Sequence, residues 1–72
     1  MNKSKLELIE IAKCGVNLVV DGSAFSKLEL IEIVKSIQEG CAIEITNCKS
    51  KSKLELKEIA NCIKAIGRIT FS

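Results

Sequence analysis

The chain writes nearly the same ten residues three times: SKLELIEIAK from Ser4, SKLELIEIVK from Ser26 and SKLELKEIAN from Ser52. Starts this close together leave no room for independent domains. Each copy is one supersecondary unit, too small to bury its own apolar face, and must cover it against the next. The 72 residues therefore read as a single domain, 1–72, of three units spanning 4–25, 26–51 and 52–72.

Each copy opens on a capping box. Ser4 with Glu7, Ser26 with Glu29 and Ser52 with Glu55 place a hydroxyl and a carboxylate on either side of one helical turn, so that each can satisfy the other's free backbone amide. Three helices are predicted to start there, and Phe25 ahead of Leu30 adds a hydrophobic staple to the second. Each helix is expected to run to a glycine (Gly15, Gly40, Gly67), the residue favoured just past a helix end. A β-prone segment follows each time: residues 16–20, 41–46 and 68–71. Strands joined through a helix of this length run parallel, with right-handed crossovers.

Alternation selects the topology. Leu18, Ile43, Ile45, Ile69 and Phe71 fall on one face of the strands; Asn17, Glu44, Thr46, Arg68 and Thr70 fall on the other, with Val19 and Ala42, and there Asn17, Glu44 and Arg68 could form a cross-strand row, as a surface ion pair or a recognition surface. A doubly wound sheet is apolar on both faces. The expectation is an α/β fold in which three αβ repeats form a three-stranded parallel sheet in order 1-2-3, with all helices on one face. This arrangement resembles a short leucine-rich-repeat-like solenoid, although the segment Ile43-x-Ile45-x-Asn47 brings its asparagine one residue earlier than that family's consensus. The Ser-Lys-Leu-Glu-Leu-x-Glu-Ile-Ala-Lys module also looks like repeats in small bacterial proteins. The resemblance implies a bare sheet face available for recognition, and it implies no activity.

Composition narrows function by exclusion. Histidine is absent, which removes the commonest general base and the usual zinc partner. Phe25 and Phe71 are the only aromatic residues, too few for a base-stacking platform. A net charge of +2 does not call for a nucleic acid. No apolar run is long enough to cross a bilayer, and the first residues lack the apolar stretch of an export signal. The chain is therefore expected to be cytoplasmic, and to be neither an enzyme nor a membrane protein. No cofactor and no metal are expected. The cysteines Cys14, Cys41, Cys48 and Cys62 contain no Cys-x-x-Cys pair and read as reduced thiols. Cys14 and Cys62 occupy one position of the repeat, suited to a small, partly buried helical side chain.

Two features remain for function. At about 100° per residue the stripe Leu8, Ile11, Ala12 and its copies faces the sheet, while Leu6 with Ile9, and Leu28 with Ile31, point away from it. They either pack sideways against neighbouring helices or form a patch that contacts another molecule. In the third copy Lys57 replaces the isoleucine and would mark where such a contact stops. The second feature is the last strand: Arg68 and Thr70 lie on an edge that could pair with its copy in a homodimer. A self-associating, protein-binding module is the leading expectation. A weak nucleic-acid or anion contact through Lys49, Lys51 and Lys53 is the alternative.

Overall fold

The computed structural model describes residues 4–63 and 67–72. Helices α1 (Lys5–Ala12), α2 (Lys27–Lys35) and α3 (Lys53–Asn61) alternate with strands β1 (Leu18–Asp21), β2 (Ala42–Thr46) and β3 (Arg68–Phe71). The fold is α/β, with one parallel sheet ordered β1-β2-β3. All three capping boxes form as the sequence requires. The Glu7, Glu29 and Glu55 amides donate to serine hydroxyls at 3.2, 3.3 and 3.2 Å, and the Ser4, Ser26 and Ser52 amides donate to glutamate carboxylates at 2.9, 2.9 and 2.8 Å.

Register and alternation build the core. Leu18 pairs with Ile43 and Ile43 with Ile69; Val20 pairs with Ile45 and Ile45 with Phe71. These side chains share one face of the sheet, and all join one cluster with Leu8, Leu30, Ile33, Val34 and Ile59 from the helices. The opposite face carries exposed Val19, Arg68 and Thr70. Among the described residues no helix lies over it, which accounts for its polar composition.

The turns after β1 and β2 close into short 3-10 segments, Gly22–Ala24 and Cys48–Ser50. They interlock. Asp21 Oδ1 accepts from the Ser23 amide at 2.9 Å and from Asn47 Nδ2 at 3.0 Å, and Lys51 Nζ donates to the Gly22 carbonyl at 2.9 Å. Gly22 is glycine for want of space: a Cβ there would lie 2.7 Å from the Thr46 carbonyl oxygen and 2.8 Å from Ile45 Cγ2.

Three local expectations are corrected. The helices stop before their glycines. Helix α1 ends at Ala12, short of Gly15, and α2 ends at Lys35, with Ser36 as its C-cap, well short of Gly40. The approach of the third to Gly67 lies partly outside the described residues. After α2 the chain turns so that Ile37 can fill the core, while Gly40 takes φ +83°, a conformation that side chains disfavour. Cys14 and Cys62 are consequently at or just beyond helix ends, and Cys14 is exposed rather than half-buried. Cys14, Ser36 and Cys62 play equivalent parts, because each donates to a carbonyl one turn back, on Glu10, Glu32 and Glu58, at 3.5, 3.0 and 3.3 Å. The cross-strand row that Asn17, Glu44 and Arg68 could form is not made: Arg68 lies opposite Ala42. Glu44 pairs with Val19 and Thr70 and accepts from Ser72 Oγ at 2.9 Å. Asn17 precedes β1 and uses Oδ1 to accept the Ala42 amide at 2.8 Å.

Candidate interaction surface

Helix α1 contacts α2, and α2 contacts α3, so the second residue of each helix falls at a repeated place on the outer layer. Leu6, Leu28 and Leu54 hold those places and are 67%, 68% and 70% exposed. Helix packing spaces such side chains roughly 8–10 Å apart, giving a row of three leucines across the helix layer. All three copies keep leucine here although none of them buries it.

The other half of the expected patch behaves differently. Ile9 and Ile31 are half-buried and packed against the core cluster. On the helical wheel they lie about 40° from Lys5 and Lys27 respectively. Those lysines reach the next helix: Lys5 Nζ lies 2.6 Å from Glu32 Oε2, and Lys27 Nζ 2.8 Å from Glu58 Oε2. The isoleucines therefore face the following repeat and seal the helix–helix seam. The same flank of α3 faces away from the other two helices, and there the residue is exposed Lys57.

The ion pairs form a ladder, where the sequence alone suggests only solubilising charge. The first residue of one helix meets the sixth of the next. Hydrogen bonding to Glu32 and Glu58 raises the Lys5 and Lys27 ammonium groups above 10.5. The capping amides of Ser26 and Ser52 lower Glu29 and Glu55 below 4.5. Hydrogen bonds from Ser23 and Asn47 lower Asp21 below 3.8. The signal for the ladder lies in the repeat itself, since a lysine and a glutamate recur at the same two positions of every copy. Which helix each side chain reaches depends on the packing.

The three lysines of the candidate anion contact are placed differently. Lys51 is committed to the Gly22 carbonyl, Lys53 starts α3, and Lys49 alone lines an open depression of about 570 Å³ with Ser23, Asn47, Ser50 and Ser72. Arg68 and Thr70 are exposed on the uncovered sheet face, and the outer edge of β3 has no partner strand among the described residues. Cys48 is buried, with its thiol donating to the Ile45 carbonyl at 3.1 Å. Among the described residues no group of His, Cys, Asp or Glu could hold a metal ion, and no helix is long and apolar enough to cross a membrane. Comparison with family models, curated proteins and solved structures finds nothing that matches this chain.

Proposed function

We propose that this protein is a non-enzymatic, cytoplasmic interaction module that binds protein and associates with itself, built in the manner of a short leucine-rich-repeat-like array. The observation that carries the reading is the row Leu6, Leu28 and Leu54, apolar in every copy yet left in solvent. Fully burying one leucine stabilises by about 1.5–3 kcal/mol, so three on one surface are enough to support a specific contact once ordering costs are met. A bare, polar sheet face on the other side supplies a second recognition surface of the kind that repeat proteins use.

Sedimentation across concentration tests the reading. Wild-type mass is expected to rise with concentration, and Leu6→Ser with Leu28→Ser to lower it while the far-ultraviolet circular dichroism is unchanged. A wild-type chain that stays monomeric to about 1 mM, where contacts as weak as about −4 kcal/mol would still register, overturns self-association. The alternative, nucleic-acid or anion binding through Lys49, Lys51 and Lys53, has less support because Lys51 already donates to the Gly22 carbonyl and Lys49 is the one of the three that lines the open depression. RNA binding that weakens steeply with salt would establish it instead.

A further inference from the structure

The ladder of ion pairs is open at both ends. Lys5 reaches Glu32 and Lys27 reaches Glu58, so the equivalent members left over are Lys53, on the last helix, and Glu10, on the first. Among the described residues neither side chain has an ion-pair partner. Charge around them is complementary. Lys53 and Lys57 lie within about 40° of each other on the wheel of α3, on the flank where a following helix would pack. Glu7 and Glu10 lie within about 60° of each other on α1, on the flank where a preceding helix would pack. The interior junctions use this same arrangement: Lys5 acts on Glu29 and Lys27 on Glu55 through space, in addition to their direct pairs with Glu32 and Glu58.

The sheet is open in the same direction. Among the described residues β1 pairs only with β2, and β3 only with β2, leaving one free parallel edge at each end. The interior register places Leu18 beside Ile43 and Ile43 beside Ile69; carried one step further it places Ile69 beside Leu18 of another copy, and Phe71 beside its Val20. The apolar side chains at the two ends are incompletely covered. Ile69, Phe71 and Leu56 are half-buried at one end and Leu18 and Ile11 at the other, whereas their counterparts Ile43, Ile45, Leu30 and Ile33 in the middle repeat are buried.

We propose that copies of this chain associate end to end, the last repeat of one docking on the first repeat of the next, with Lys53 of one copy pairing with Glu10 of its neighbour. The contact is heterologous, so one copy uses two different surfaces and the assembly can extend beyond a dimer. It goes beyond the leucine-row contact and rests on different residues. Lys57 in place of isoleucine makes this junction more polar than the interior ones, and therefore weak and sensitive to salt. End-to-end association also brings Leu54 of one copy beside Leu6 of the next, continuing the leucine row.

A charge-exchange experiment on the full chain tests this. Sedimentation at low ionic strength is expected to show wild-type mass growing with concentration past the dimer, and shrinking as salt shortens the reach of the charges to about 10 Å or less. Lys53→Glu faces Glu10 with a second carboxylate, and Glu10→Lys faces Lys53 with a second ammonium. Each variant alone is expected to associate about tenfold more weakly, a size reasonable for turning an exposed attraction into a repulsion. An equimolar mixture of the two variants restores opposite charge at the junctions between unlike copies and is expected to recover association above that of either variant alone. The double variant Lys53→Glu, Glu10→Lys in one chain restores it at every junction and is expected to match the wild type, and circular dichroism checks that each variant folds. If the mixture behaves as the average of its components, or if wild-type mass stays at or below the dimer, end-to-end docking is wrong. Association that ignores the charge changes but is lost with Leu6→Ser and Leu28→Ser overturns this inference and leaves the proposed leucine contact intact. Loss of all association in the wild type overturns both.

Discussion

The second and third repeats start from the same five residues, Ser-Lys-Leu-Glu-Leu, and end up in different environments. In the second, Leu30, Ile33, Val34, Ile37, Ile43 and Ile45 are all buried. In the third, among the described residues, only Ile59 and Ile63 are; Leu56, Ile69 and Phe71 are half-buried. The difference lies in the neighbours. Among the described residues the second repeat is flanked by a helix and a strand on both sides, the third on one side only. The residue choices that differ follow that fact: Ile31 faces a helix and is apolar, and Lys57, at the same position, faces away from the array and is charged. A module of this size acquires its core from its neighbours, so equal sequence does not imply equal energetic weight.

That comparison can be broken most directly at one repeated leucine. Leu30→Ala removes a fully buried side chain and is expected to cost about 3 kcal/mol, within the usual range of about 2–5 kcal/mol. Leu56→Ala, at the half-buried copy, is expected to cost about half as much. Urea denaturation of both variants measures the ratio, and equal losses would show that the two repeats contribute alike. Gly22→Ala comes next. Its Cβ would press on the Thr46 carbonyl and Ile45, so overpacking of about 1–3 kcal/mol is expected, read as a lower thermal midpoint.

Caps provide the converse control. Ser26→Ala and Ser52→Ala each delete a hydroxyl that accepts one helix amide, at 3.3 and 3.2 Å. Each is expected to cost about 1 kcal/mol. Because a cap is local, the two losses should agree within a few tenths despite the different burial of their repeats. A large disparity would mean that even the caps depend on neighbours.

Protonation has the smallest expected effect. Asp21, Glu29 and Glu55 have folded-state values below 3.8, 4.5 and 4.5, so the stability they contribute is complete above those values and is lost as pH falls through the lower folded ones. Lys5 and Lys27 are raised above 10.5; their contribution is complete below that pH and is lost as pH rises through the raised values. Stability is therefore expected to be level between about pH 5 and 10 from these groups, with shallow declines on both sides. Thermal midpoints measured from acid to alkaline pH check it, and a decline beginning near neutrality would require a different group.

Helix starts, strand direction, strand order and the placement of every helix on one sheet face are legible in the sequence alone. The candidate interaction surface is legible only in half. Leu6 and Ile9 look alike in sequence, both apolar and both off the core stripe, yet Leu6 is exposed while Ile9 packs sideways. A wheel gives an angle, and the neighbouring helix decides what occupies that angle. The Asn17, Glu44 and Arg68 row failed for a related reason. Strand alternation assigns a face, but a small shift in pairing decides which side chains are abreast, and Asn17 left the row to hold the Ala42 amide.

What the chain determined alone is what acts within a single turn or a single strand: the capping boxes, which need only a serine and a glutamate at fixed spacing, and the alternation that assigns each strand residue to a face. Contacts between one repeat and the next belonged to the tertiary structure. It decided that Lys5 meets Glu32, that Ile31 is sealed where Lys57 is wet, and that Gly22 has no space for a methyl group. Burial and pairing are properties of neighbours, and only the folded arrangement says which residues are neighbours.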